Sequence, residues 1–294
     1  MKIFLMIMLF LVSGLSWGGD VITITQPSGR GTSNELWVEM TRNGLESHSA
    51  TVKYEVGTCA TSLQAWDAAG TRDPIIMLYS SNWYRTALQT GQPCAPRDAD
   101  RLTVYVSTRT PWWLCRNRSL SRPMAAAGVT LGYHAASTPG EDIIADINAT
   151  NGYHWRGVST KGTGDNFMLL TNGELDYAFM ASNFARRKIV EVPNSPLECV
   201  ASWKKNDTIP YFKDMIHMKG DPSDLLYYSQ IIVGKNLTLE QDRILREIYG
   251  DKNPQFREWI QGQSNGEYLV PTDSRKYMIE FMGNVKKVMD TFKQ

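Results

Sequence analysis

The chain has 294 residues, with 31 Lys and Arg against 30 Asp and Glu and a formal charge of +1. Hydrophobic residues make up 42% and charged residues 21%, ordinary values for a globular protein. With 23 glycines and 13 prolines scattered without period, the composition excludes a collagen-like chain, a disordered polyampholyte and a strongly basic nucleic-acid binder. The length supports one large domain or two of moderate size.

The amino terminus has the three-part pattern of a secretory signal peptide. Met1-Lys2 gives a positive start, Ile3 to Val12 is an unbroken apolar run, and Ser16-Trp17-Gly18 places small residues at −3 and −1 of a cleavage site after Gly18. Ten apolar residues are too few for the ~20 that span a bilayer, so residues 1–18 read as a cleaved leader rather than an anchor. No cysteine lies beside the cleavage point, which argues against a lipid anchor. Cleavage removes only Lys2 among the charges, leaving 30 of each sign. The exported protein is then neutral, and any charge recognition has to be local.

From there the chain alternates strands and helices. Val21 to Thr25 is rich in β-branched residues and reads as a strand. It runs into a small-residue loop, Gln26 to Asn34, in which Ser33 or Asn34 is placed to cap a helix containing Leu36, Trp37 and Met40. Thr51 to Glu55 is a second strand, followed by Val56 to Ser62 and a helical stretch from Leu63 to Ala69. Pro74 to Tyr79 is a short continuous apolar run, as expected of a strand buried on both faces; it ends in Ser80-Ser81-Asn82. Residues 87–101 read as a surface excursion, after which Leu102 to Ser107 resumes as a strand.

Val129 to Tyr133 is a further strand, leading through His134 to Gly140 into a helix from Glu141 to Ala149. Tyr153 to Val158 reads as strand, Gly164 to Asn172 as helix and Leu175 to Met180 as strand. Beyond Pro193 to Pro196 the pattern is mixed until two helices, Leu239 to Tyr249 and Ser274 to Phe292. In the last of these Tyr277, Phe281, Val285, Val288 and Phe292 share one face. Strands alternating with helices, each ending in a small polar loop, predict an α/β fold with mostly parallel sheets.

Export permits disulfides between Cys59, Cys94, Cys115 and Cys199. Four cysteines allow three full pairings, which sequence does not decide. Cys94 with Cys115 closes a modest loop and is the preferred pair; four buried thiols are the alternative. The wide spacing has no CxxC pair, so no zinc site is expected.

Enzyme signatures are sparse. There is no GxSxG elbow, no HExxH and no paired metal spacing among His48, His134, His154 and His217. His134, before a small-residue loop, is the one candidate base, and an ordinary strand-end histidine is the simpler reading. Asp165, Glu174 and Asp176 read as caps and solvated positions. Trp112-Trp113 and Tyr227-Tyr228 suit either ligand stacking or core and hinge packing.

The first loop, Gly29-x-Gly31-x-x-Asn34, lacks the third glycine of a dinucleotide fingerprint. What it keeps is a helix N-terminus with free N–H groups beside the hydroxyls of Thr32 and Ser33, which serves either plain capping or an anion. Four such loops occur, at 28–34, 57–62, 80–82 and 136–140. In an open parallel sheet they gather at the carboxyl ends of the strands, where ligands bind. The constellation points to a small polar or anionic ligand.

In order, these loops resemble the extracytoplasmic solute-binding receptors of tripartite tricarboxylate transporters, the TctC-like or Bug receptors. The likeness lies in the opening strand and its loop from Pro27 to Asn34, Val56 to Ala60 and Val129 to Gly140. It continues through Lys161-Gly162 and Gly173-x-x-Asp176-x-x-Phe179, with the carboxyl-terminal helices in order. It implies a two-lobed class II periplasmic-binding-protein fold, with lobe I formed by 19–108 and 231–294 and lobe II by 109–230. It further implies a small carboxylate ligand in the cleft, membrane transporter partners, no cofactor and no chemistry. The family's loop Asp is Asn34 here, Thr58 and Cys59 stand where it has small residues, and Arg30 adds a cation.

The expected ligand-binding residues are Arg30, Gly31, Thr32, Ser33 and Asn34, then Thr58, Cys59, Ser80 and Ser81 on the same lobe. Ala136, Ser137 and Thr138 contribute from the other lobe, with Lys161 at the gate. The chain is expected to be a periplasmic monomer that binds no metal and no nucleic acid. The competing readings are a binding-protein fold kept for a structural or interaction role, and an exported enzyme using His134.

Overall fold

The computed structural model describes residues 21–26, 33–91, 94, 102–134, 140–205, 207–221, 228–250, 254–258, 261 and 266–292; the expected leader, 1–18, lies outside them. Among the described residues two sheets form, each with helices on both faces. The first has six strands in the order β11-β4-β10-β3-β1-β2: β1 (Ile22–Gln26), β2 (Val52–Val56), β3 (Ile75–Ser80), β4 (Thr103–Thr110), β10 (Tyr228–Lys235) and β11 (Glu267–Leu269). Its helices are α1 (Ser33–Glu46), α2 (Cys59–Ala68), α3 (Ser81–Thr90), α8 (Leu239–Tyr249), α9 (Pro254–Glu258) and α10 (Ser274–Phe292).

The second sheet has five strands in the order β7-β6-β8-β5-β9: β5 (Trp112–Asn117), β6 (Thr130–His134), β7 (Arg156–Thr160), β8 (Tyr177–Ala181) and β9 (Leu197–Ser202). With it go α4 (Gly140–Asn151), α5 (Thr163–Thr171), α6 (Ser182–Ala185) with a π-helical turn at Arg186–Val190, and α7 (Phe212–Met215). The result is a two-lobed α/β architecture.

Burial explains the local sequence. Every residue of β3 is buried, because Ile76 and Leu78 pack with Trp37 and Leu45 of α1 and Leu245 of α8. Ile75, Met77 and Tyr79 pack on the other face with Trp66 of α2 and Phe281 of α10. In the second sheet Leu131, Tyr133 and Phe179 pack against Ile143 and Ile147 of α4 with Trp203 and Phe212. The opposite face joins Trp113 and Met180 to Leu170 of α5. Trp112 and Trp113 are therefore core residues, and the Trp113 indole N–H donates to Asp207 at 2.7 Å. On α10 the buried stripe is Tyr277, Met278, Phe281 and Met289, so Met289, not Val288, ends the apolar face; the Phe292 side chain lies outside the description.

Both sheets are mixed rather than mostly parallel. β1 pairs parallel with β2 and β3, and β6 with β7 and β8. The remainder is antiparallel: β10 with β3 and β4, β11 with β4, and β5 with β8 and β9. The parallel half is the part whose strands are punctuated by helices. β4 and β5 are separated by Pro111 alone, yet belong to different sheets, and the return strand β10 comes in antiparallel. The sequence pattern missed β5, β9, β10 and β11 because no strand–loop–helix alternation marks them. β7 starts three residues later than expected, since Tyr153 and Trp155 are held in a stack that continues to Tyr177.

The expected Cys94–Cys115 pair does not form, and no free cysteine remains. Cys59 bonds Cys94 within the first lobe, and Cys115 bonds Cys199 within the second. Cys115 and Cys199 face each other on neighbouring strands β5 and β9, whereas Cys94 follows α3 of the other lobe. Each bridge thus staples one lobe and neither joins the two.

Asp176, expected to be solvated, is a buried hub at the amino end of β8. Its carboxylate accepts from the Thr130 N–H (2.8 Å) and hydroxyl (3.0 Å), the Arg122 N–H (2.9 Å) and the Arg122 guanidinium. Burial works against its ionisation, but these bonds from Arg122 and Thr130 outweigh it and hold the pKa at about 2. The hub fixes the segment joining β5 to β6 at the end of the sheet opposite the first turn of α4.

Two predictions follow from this packing. Replacing Cys115 and Cys199 together by Ala lowers unfolding free energy by about 2–4 kcal/mol, the usual worth of a native bridge closing a long loop; urea unfolding measures it, and thiol alkylation of the native protein should label nothing before reduction. Because the folded pKa of Asp176 lies below its ordinary 3.8, its stabilisation is complete above pH ~4 and is lost as pH falls towards ~2. Allowing for the half-exposed guanidinium, that amounts to about 1–2 kcal/mol. Asp176→Asn should flatten this acid limb in a pH series of melting curves.

Candidate functional site

The site is built where parallel strands hand over to helices. β3 ends at Ser80, and α3 begins at the next residue with no loop between. Ser80 is 2% exposed, and its hydroxyl has no hydrogen-bond partner among the described residues. In the antiparallel register it stands level with Gln230 of β10 and through it with Thr108 of β4, and Thr108 is also buried. Gln26, the last residue of β1, is fully buried and accepts from the Tyr54 hydroxyl at 3.1 Å. The apolar core of the first sheet thus ends in buried polar residues at this edge.

α3 carries a single charged side chain, Arg85, one turn in from Ser81. It is 5% exposed. Its guanidinium bonds Asp142 in the first turn of α4, which belongs to the other lobe. Since α3 follows β3 and α4 opens just beyond β6, this ion pair shows that the carboxyl ends of the two sheets face each other. Burial pulls the Arg85 pKa below its ordinary value, and pairing with Asp142 works against that. A guanidinium starts so high that it stays charged.

At the second lobe's edge, β6 ends at His134 and β7 at Thr160, whose hydroxyl donates to the Tyr133 carbonyl at 3.1 Å. The turn to α5 passes through Lys161 and Gly162. The Lys161 N–H donates to the Asp165 carboxylate at 3.1 Å, and the lysine is exposed. His134 lies over Gly162, and burial lowers its pKa despite a backbone hydrogen bond at Lys161, so it is neutral near pH 7. Among the described residues no side chain hydrogen-bonds its imidazole, and none forms with it a nucleophile–base pair. Two backbone bonds tie the crossover: Ser182 N–H to the Pro111 carbonyl (2.9 Å) and Trp203 N–H to the Trp112 carbonyl (3.0 Å).

Of the expected site residues, Ser80 and Ser81 sit at this facing edge. Thr58 and Cys59 lie beyond β2, two strands from β3 and so roughly 10 Å away. Thr58 caps α2 in a reciprocal capping box with Thr61, and the Cys59 sulfur is taken by its bridge to Cys94. Gly57 is required there, since a Cβ would stand 2.1 Å from the Thr61 hydroxyl. Ser33 and Asn34 open α1, but their side chains lie outside the description. Arg30, Gly31, Thr32, Ala136, Ser137 and Thr138 also lie outside the described residues. Arg85 was missed by sequence reading; its signal was a lone charge in an otherwise uncharged helix that directly follows a polar strand end.

Among the described residues no group of three or more His, Cys, Asp or Glu is placed to hold a metal ion, and no helix is long and apolar enough to cross a membrane.

No protein-family model matches the sequence, and no curated protein is similar to it. Solved structures are. The periplasmic binding protein BugD superposes with a TM-score of 0.70 at 12% identity, over 92% of this chain and 97% of that one. A Rhodopseudomonas palustris protein solved with adipate gives 0.67 at 14%, over 94% and 98%. MatC of Rhodopseudomonas palustris with bound malate gives 0.66 at 13%, over 92% and 98%. The chain has the fold of these binding proteins. The likeness runs nearly end to end in both directions, so the two-lobed architecture is shared whole.

An unpaired buried hydroxyl is a liability for the protein alone, so Ser80→Ala should leave stability unchanged or raise it by up to about 1 kcal/mol in urea unfolding. A loss of more than that would mean the hydroxyl already has a partner within the chain.

Proposed function

We propose that the chain is an exported solute-binding protein that captures a small carboxylate between its lobes and presents it to membrane transporter subunits. The observation that carries this reading is the facing pair of strand ends: buried polar residues on the first lobe, reaching through Arg85 to the first turn of α4 on the second. A cation and helix N-termini at these facing edges favour an anion. The structural neighbours solved with adipate and malate support a small carboxylate. Two disulfides support an oxidising compartment, in keeping with a leader cleaved near Gly18.

In this reading the lobes comprise 19–108 with 231–294, and 109–230. The loop from Arg30 to Asn34 cradles one end of the ligand with Ser80 and Ser81. Thr58 and Cys59 contribute backbone from the same lobe, residues 136–138 close from the other, and Lys161 stands at the gate. The protein acts as a monomer, without cofactor or catalysis, and lobe closure signals occupancy. The alternative is a structural or interaction protein that keeps the fold; it is favoured by the Arg85–Asp142 bond, which ties the two lobes directly.

A thermal-shift titration of the protein against di- and tricarboxylates, amino acids and phosphate decides between them. Ligand at a hundredfold its Kd should stabilise by about 2.7 kcal/mol, which raises Tm by a few degrees. A saturable shift with a carboxylate supports the receptor; no shift across the panel from well-folded, ligand-free protein transfers the assignment to the interaction role.

A further inference from the structure

Arg85 is incompletely partnered for a buried arginine. Of its donors, Nε and Nη2 lie 3.2 and 3.1 Å from the Gln89 amide on the same helix, whose oxygen accepts from both once the amide is oriented by this network, and Nη2 also reaches Asp142. Nη1 is buried and has no partner among the described residues. Guanidinium and carboxylate pair best through two parallel bonds, yet Asp142 engages this fork through one nitrogen. A bridge that served only to hold the lobes would not leave a buried N–H unmet, because that costs most of what the bridge gains. The open nitrogen lies on a guanidinium that reaches from α3 of the first lobe to the first turn of α4 of the second, and the start of a helix attracts negative charge.

We propose that Arg85 is the carboxylate anchor of the cleft, and that Asp142 is an internal surrogate which the solute's carboxylate displaces. This rests on the binding-protein reading above and names the residue that confers its ligand class. In the ligand-free protein the second lobe lends its own carboxylate to the anchor. An arriving solute presents two oxygens to Nη1 and Nη2, completes the fork, and releases Asp142 to the helix N-terminus and solvent. Binding is an exchange of one carboxylate for another, so affinity reflects the difference between a two-point and a one-point contact. An uncharged analogue of the same shape cannot compete.

Isothermal titration of the ligand-free protein with malate and with adipate tests this, with dimethyl adipate as the uncharged control. For whichever diacid binds the wild type, Arg85→Ala should weaken binding by about tenfold or more, and Arg85→Lys, which keeps the charge but not the fork, should fall between. Asp142→Asn, which removes the competitor while keeping its shape, should tighten binding by about three- to tenfold. The diester should show no binding to any variant. Wild-type affinity in Arg85→Ala, or unchanged or weaker binding in Asp142→Asn, overturns the proposal while leaving the receptor intact. If Arg85→Ala does not fold, Asp142→Asn decides alone. If the wild type binds neither diacid, nor any other carboxylate of the wider panel, the receptor reading and the anchor fall together.

Discussion

Each lobe closes its own hydrophobic core, and among the described residues no cluster of buried apolar side chains draws from both. Everything else about the molecule depends on that separation. Apolar burial is strong and non-directional, so a core shared across the junction would weld the lobes into one body. Here they are joined by a crossover at Pro111, by the return ahead of β10, by the approach of α10 to α4, and by the Arg85–Asp142 ion pair at the facing strand ends. Such contacts are weak enough in net free energy to be exchanged for contacts with a solute. The disulfides respect the same division: each lies within one lobe, which adds stability without restraining their relative motion.

Two buried charges show how differently the opposite ends of the strands are used. Asp176 sits at the amino end of β8 with its carboxylate oxygens engaged by backbone, hydroxyl and guanidinium donors. It is a completed network and serves to hold the chain in place. Arg85 sits at the other end, on the helix that follows β3, with one nitrogen unmet among the described residues, and the hydroxyl of Ser80 at the end of β3 is likewise unmet there. Proteins tolerate such groups where something else is to supply the missing partner. The contrast falls along the direction expected for parallel strands, whose carboxyl ends carry ligand sites.

Much of this organisation was legible in the sequence. The continuous apolar run from Pro74 to Tyr79 announced a strand buried on both faces, but the loop expected at Ser80 to Asn82 proved to be the start of α3, which runs to Thr90 into the expected surface excursion. Thr58 was marked as a loop residue and proved to be a helix cap, because a hydroxyl before a helix serves both roles equally well. Strands β5, β9 and β10 were not legible, since antiparallel strands next to a crossover lack the alternating punctuation. The tryptophans at 112 and 113 suited a stacking platform or a core equally well until the packing showed them enclosed.

The sequence by itself determined the α/β class and the order of the parallel units, because these follow from local periodicity and from backbone preferences of Gly, Ser, Thr and Pro. The tertiary structure decided the rest. It paired Cys59 with Cys94 and Cys115 with Cys199, buried Asp176 and brought Arg85 to Asp142 across 57 residues of chain. Those outcomes depend on which strands lie side by side and which helix ends face each other. Contacts between residues far apart in the chain leave no periodic trace in it, and only the packed molecule brings them within reach.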